Sequence, residues 1–173
     1  QFVTFAEGME TLPSRLAEVL RKRGVEFRIA RAERLVRAEA GWRLLTRAPG
    51  GESSEELSAS AVILAVPAQA AAVVVNGIDP ALAAELAAVE YAGSVIVSLG
   101  YRREDVAHPL NAAGLVVPRV AGRRALAISF SSSKFPGRAP PRHVLLRVFL
   151  GGALDPTAVT LDDHALFTQA IAE

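Results

Sequence analysis

Cysteine is absent from the 173 residues, which excludes disulfides, thiolate nucleophiles and cysteine-held zinc or iron–sulfur sites. An excess of one charge is missing too. The formal net charge is +1, and so balanced a chain sets up no field that gathers nucleic acid or anionic lipid. No apolar run is long enough to span a bilayer. The longest, at 59–75, is interrupted by Pro67 and Gln69 and reads as a strand followed by a helix. The first residues carry no basic stretch leading into an apolar one, so no signal peptide is expected. A start at Gln1-Phe2-Val3, without methionine, points to a fragment boundary, and the lack of cysteine fits a cytoplasmic protein. Gly-x-Gly-x-x-Gly, P-loop and Gly-x-Ser-x-Gly signatures are all missing.

The residues present describe a folded globule: 51% are hydrophobic and 21% charged. Arginine far outnumbers lysine and alanine is abundant, as in proteins from GC-rich bacterial genomes. Met9, Leu12, Leu16, Val19 and Leu20 recur at helical spacing, with Pro13 tolerable in the first turn and Gly24 as the stop, so a helix is expected over 10–23. Val25, Phe27 and Ile29 alternate with charged residues and predict a strand with one buried face. Strands at 33–38 and 41–46 follow, joined by a hairpin turn, and then a polar loop at 49–54. The run Ala61-Val62-Ile63-Leu64-Ala65-Val66, closed by Pro67, predicts a strand buried on both faces. A short helix is expected at 69–75. Asp79-Pro80 then predicts a helix start, with the cap at Asp79 and proline in the first helical position.

From Ser94 the character changes. Four strand candidates at 94–101, 114–118, 124–131 and 143–150 lack helix-length connections, so antiparallel pairing is expected. Thr160, with Asp163 three residues on, predicts a final helix to about residue 172. The fold class is therefore α/β (α+β): a β/α portion at 1–78 and a mixed, largely antiparallel sheet with flanking helices at 79–173.

Chemistry is sparse in these elements. His108, His143 and His164 lack ligand spacing and read as surface or strand residues. Asp162-Asp163 suits a helix start, and Arg21-Lys22-Arg23 suits a helix end. Ser131-Ser132-Ser133 lacks the context of a nucleophile. By pattern alone this is an α/β chain of open function.

Longer phrases add a resemblance. Phe5-Ala6-Glu7-Gly8-Met9 with Leu12-Pro13 resembles the Gly-Gly-Met stretch of the protoporphyrinogen oxidase family and wider flavin amine oxidases, with Glu7 in place of the first glycine. Val62-Ile63-Leu64-Ala65-Val66-Pro67-Ala68 is similar to that family's apolar strand ending in Ala-x-Pro. Asp79-Pro80-Ala81-Leu82, Ala107-His108-Pro109-Leu110 and Gly114-Leu115-Val116-Val117-Pro118 resemble other stretches of the same family. Ser131-Ser132-Ser133-Lys134-Phe135-Pro136-Gly137-Arg138-Ala139-Pro140 and Val148-Phe149-Leu150-Gly151-Gly152 are the more specific segments. The order and spacing match over nearly all of the chain. The family's N-terminal dinucleotide fingerprint, helical membrane-associated insert and C-terminal flavin segment have no counterpart here.

The resemblance implies an FAD-dependent oxidase whose flavin removes hydride equivalents while the protein orients substrate and cofactor. It implies that 1–78 is part of an FAD-binding domain and 79–173 part of a substrate domain. Cofactor positions fall at Ala32, or Arg31 one residue earlier, at Ala65 and Pro67, and at Gly8 and Met9. A tetrapyrrole, as porphyrinogen, is the implied substrate, with Val116, Phe149, Ser129 and Gly114 at pocket positions. As plain core residues Val116 and Phe149 would look the same. Amines, carotenoids and coproporphyrinogen are substrates of the same chemistry, and a non-catalytic domain of the same shape is the remaining alternative. Basic partners for the extra carboxylates of coproporphyrinogen are expected outside this chain. On its own the chain is expected to bind FAD weakly or not at all, with no nucleic-acid partner. Peripheral membrane contact through absent parts and the oligomeric state stay open.

Overall fold

A computed structural model describes residues 4–51 and 53–173; Gln1, Phe2, Val3 and Glu52, the last inside the loop expected at 49–54, lie outside the described residues. The chain forms two compact units, one of Glu10–Tyr91 and one of Ala92–Glu173 together with the residues through Met9. The helix after Asp79 packs on the helix before it, so both lie in the Glu10–Tyr91 unit. Among the described residues no helix is long and apolar enough to cross a membrane.

The Glu10–Tyr91 unit begins with helix α1 (Thr11–Lys22). Its end is a Schellman arrangement: Gly24 N–H donates to the Arg21 carbonyl and Val25 N–H to the Leu20 carbonyl. The apolar stripe of α1 is exposed at Leu12, Leu16 and Val19. The strand expected at 25–29 does not form. A strand needs a partner for its hydrogen bonds, and this segment pairs with no strand, leaving Ile29 87% exposed. Strands β1 (Arg31–Ala38), β2 (Gly41–Arg47) and β3 (Ser54–Ala59) form an antiparallel sheet in the order β1-β2-β3. β3, which the sequence leaves unassigned beyond the loop at 49–54, is held by its ladder to β2 and by Glu55–Arg28 and Glu56–Arg43 ion pairs.

The run at 61–66 is likewise no strand, and it is not buried on both faces: Ile63 is 92% exposed. Only its alternate residues find cover, with Leu64 packing on Ala72, Val75 and Ala83. Those three belong to α2 (Ala68–Val75) and α3 (Pro80–Ala87), which pack together. Asp79 caps α3 as its sequence predicts, its Oδ1 accepting from Leu82 N–H at 2.9 Å.

In the other unit β4 (Ser94–Arg102), β5 (Gly114–Val116), β6 (Ala125–Phe130), α4 (Ser131–Lys134), β7 (His143–Gly151) and α5 (Asp163–Ala172) follow in turn. The strands pair antiparallel in the order β4-β7-β6-β5, with β7 central. The α5 cap is Asp162, which accepts from Ala165 N–H, rather than Thr160, which ends a 3-10 turn at Pro156–Thr160. Successive strand residues point to opposite faces. One face is dry: Val148 and Leu150 of β7, 2% and 0% exposed, pack with Leu99 and Ala125 against Ala158, Leu166 and Ala170. Each such burial of a large aliphatic side chain contributes about 1.5–3 kcal/mol. The other face takes the alternate residues, and these define the site.

Candidate functional site

The open face of the sheet is built in two cross-strand rows. Val116 of β5 lies opposite Ala127 of β6, Ala127 opposite Phe149 of β7, and Phe149 opposite Ile96 of β4. Residues directly opposite share a face, so these four side chains form one apolar row, with Val116 and Phe149 about 10 Å apart by strand spacing. Val116 is 81% exposed and Ile96 is exposed as well, so nothing in this unit covers the outer part of the row. The next row runs Gly114, Ser129, Arg147, Ser98. It is polar, and three of its four residues are small.

The close approach of β5 to β6 explains Gly114. A Cβ there would sit 2.4 Å from the Ile128 carbonyl oxygen and 2.9 Å from the Ser129 Cα. The site needs glycine for strand packing, whatever rests on the face.

A hollow of about 500 Å³ opens beside the rows, with Phe149, Arg147, Leu145 and Ser129 as its sheet wall. Ser131, Lys134, Phe135 and Arg138, from α4 and the loop after it, form a second wall, and Thr4 and Met9 a third. Gly8 fixes the last of these. Its N–H closes a turn onto the Phe5 carbonyl, its φ is +108°, and a Cβ on it would meet the Arg138 guanidinium at 3.1 Å. The Arg138 guanidinium also lies 5.9 Å from the Phe135 ring centroid, with Lys134 Nζ at 5.2 Å from the same ring. Arg147 lies over Phe149, 5.7 Å from its centroid. Ser132 braces the floor by accepting a hydrogen bond from the Leu145 N–H.

The hollow therefore carries three basic side chains and no acidic one among its described lining residues. The carboxyl groups held below their ordinary range lie elsewhere: Glu18 by Lys22 and Arg15, Glu33 by Arg47 and Ser54, Asp155 by Thr157 and Arg124. No group of His, Asp and Glu that could hold a metal occurs among the described residues. His108 is occupied structurally, its Nδ1 accepting from Leu110 N–H and its ring 5.3 Å from that of Phe130.

Of the predicted positions, the hollow brings together Met9, Ser129 and Phe149, with Gly8 shaping it from behind. Val116 and Gly114 stand on the same face outside it. Arg31, Ala32, Ala65 and Pro67 belong to the Glu10–Tyr91 unit. Ala32 precedes an irregularity in the β1–β2 ladder that sets Glu33 out of register, while Ala65 and Pro67 are exposed and end no strand. Arg147, Arg138 and Lys134 are the side chains that sequence reading does not single out. The available signal is Arg147 as the lone cation in the apolar strand His143–Gly151.

Comparison with known proteins sets these features in a family. The model of the family described as flavin containing amine oxidoreductase matches residues 1–173. Mitochondrial protoporphyrinogen oxidase of Nicotiana tabacum is 30% identical over 163 residues, covering 87% of this chain and 32% of its own. Chloroplastic protoporphyrinogen oxidase 1 of Arabidopsis thaliana is 27% identical over 157 residues, covering 87% and 28%. A crystal structure from Exiguobacterium sp. 255-15, of a protein provisionally named a protoporphyrinogen oxidase, superposes with a TM-score of 0.76 at 24% identity over 99% of this chain and 35% of that one. The chain thus spans about a third of the length of these relatives.

Proposed function

We propose, from the premise that the chain belongs to the flavin containing amine oxidoreductase family, that it is the central part of an FAD-dependent oxidase converting protoporphyrinogen IX to protoporphyrin IX with oxygen as acceptor, in haem synthesis. The observation that carries this reading is the apolar row Val116–Ala127–Phe149–Ile96, in register on a sheet face left uncovered in its unit. A porphyrinogen is a broad, largely apolar ring, and sites for such ligands are apolar walls with a few polar anchors.

The described residues fit part of FAD. The irregularity at Ala32 and Glu33 leaves backbone groups outside the regular ladder, which suits a backbone contact to the adenine end. The phosphates find no cradle at the starts of α2 and α3: α3 begins with the Asp79 carboxylate, and at α2 the Ala68 N–H is engaged by the Tyr91 hydroxyl. The pyrophosphate is therefore assigned to parts of the parent outside this chain.

When bound, the flavin supplies the oxidation by accepting hydride equivalents. What this chain supplies is placement. Phe149 offers a ring face for stacking, worth about 0.5–1.5 kcal/mol, while Val116, Ala127 and Ile96 keep water from the same plane of the ring. Among its described lining residues the hollow has no carboxylate to act as base, and flavin chemistry on a porphyrinogen asks for none from this wall. An amine substrate fits less well, since Arg147, Arg138 and Lys134 would repel an ammonium.

The full-length parent, assayed against protoporphyrinogen IX, coproporphyrinogen III and a panel of amines, is expected to generate porphyrin fluorescence with oxygen uptake. Turnover of amines without porphyrinogens would refute the reading.

A further inference from the structure

We infer that Arg147 is a specificity-determining residue that binds a carboxylate of the substrate, so that the open sheet face selects acidic macrocycles over neutral ones. The inference rests on the porphyrinogen reading above and names the group that recognises the acid.

Three observations carry it. First, Arg147 sits one row from the apolar floor. It is two residues from Phe149 on the same face of β7, about 7 Å along the strand, and its guanidinium already lies over the Phe149 ring. A flat ring resting on Phe149 would put a short acidic side arm within its reach. Second, its neighbours across the sheet are small. Ser129 on one side, with Gly114 beyond it, and Ser98 on the other leave room above the sheet beside the guanidinium. Third, Arg147 is paired with no carboxylate among the described residues. Some arginines of this chain do find acids, as Arg124 does with Asp155 and Arg28 with Glu26 and Glu55, while others, Arg138 among them, make no ion pair among the described residues.

Charge and shape agree on the ligand class. A guanidinium presents a planar fork of donors that matches a carboxylate in two-point fashion. Arg138 and Lys134 add positive charge on the facing wall of the same hollow, each near the Phe135 ring as Arg147 is near that of Phe149. Arg147 is the cation placed in the plane of the floor itself. A substrate with an apolar disk and peripheral carboxylates satisfies both rows together, which a carotenoid or an amine does not.

The test uses the full-length parent and two probes, a porphyrinogen as free acid and the same porphyrinogen as its methyl ester. In the wild type the acid should have the higher kcat/KM, and added salt should narrow the preference, since exposed charges are screened. Arg147→Gln should raise KM for the acid at least about tenfold more than for the ester. Arg147→Lys, which keeps the charge and loses the fork, should recover part of the preference. Equal losses on acid and ester would overturn the inference. So would a wild type indifferent to esterification, a result that needs no variant to fold. Absence of any porphyrinogen turnover by the wild type would overturn the reading of function and this inference with it.

Discussion

The assignment of faces on the four-stranded sheet makes a sharp prediction, because Val148 and Phe149 are adjacent yet point opposite ways. Val148 is 2% exposed in the packed core. Val148→Ala removes two methyl groups, about 1.6 kcal/mol at about 0.8 kcal/mol per buried carbon, and leaves a cavity beside Leu99 and Leu150. The expected loss is about 2–3 kcal/mol of stability, with little change in KM. Phe149→Ala strips a half-buried ring from the open face, where it lies opposite Ala127 and Ile96. Loss of about 0.5–1.5 kcal/mol of stacking corresponds to about a two- to tenfold rise in KM for porphyrinogen, with flavin content near normal. Both variants are made in the full-length parent, with denaturant unfolding for stability, the flavin absorbance ratio for cofactor content and porphyrin fluorescence for turnover. The reasoning fails if Phe149→Ala loses flavin with unchanged turnover per bound flavin, or if Val148→Ala alters KM and spares stability.

Gly8→Ala should cost about 1–2 kcal/mol, since an L side chain at φ +108° is strained and its Cβ would press on Arg138; a melting curve of the parent no lower than wild type would contradict this. Asp155 titrates below the ordinary 3.8 because the Thr157 hydroxyl, and then Arg124, favour its charged form. A depressed folded-state pKa gives stability that is present above the ordinary value and lost as pH falls through the folded one. Asp155→Asn should therefore be less stable than wild type at pH 6, and the two should converge as pH falls below the ordinary 3.8, as melting temperatures measured down the acid range would reveal. The 173-residue chain by itself should purify without a flavin spectrum, since the starts of α2 and α3 offer the pyrophosphate no cradle; a yellow sample with bound FAD would be the opposite result.

The legible parts of the fold are those whose determinants are local. Asp79-Pro80 specifies its own cap, Gly24 its own helix stop, and the apolar run at 143–150 a strand. The misplaced parts depend on a neighbour. Val25, Phe27 and Ile29, and likewise Ile63, carry strand-like residues, yet pairing is a property of two segments and none pairs with these. The reverse holds for β3, where the residues after the polar loop at 49–54 carry no strand signal but complete the ladder of β2. Thr160 and Asp162 compete for one cap, and the 3-10 turn through Pro156 gives it to Asp162. At the site, family phrases lead to Phe149, Ser129 and Met9, which share a hollow. Arg147 stays hidden because a single arginine in a strand reads as an outward solvated residue, and only the register with Ser129 and Ser98 shows what it faces.

The central claim is that the Val116–Phe149 face is the floor on which a tetrapyrrole rests. A crystal structure of the full-length parent with a bound porphyrin tests it most directly. The account predicts the macrocycle in van der Waals contact, within about 4.5 Å, of both Val116 and Phe149, with a carboxylate turned to Arg147. A macrocycle bound elsewhere, with that face covered by polypeptide, would contradict it.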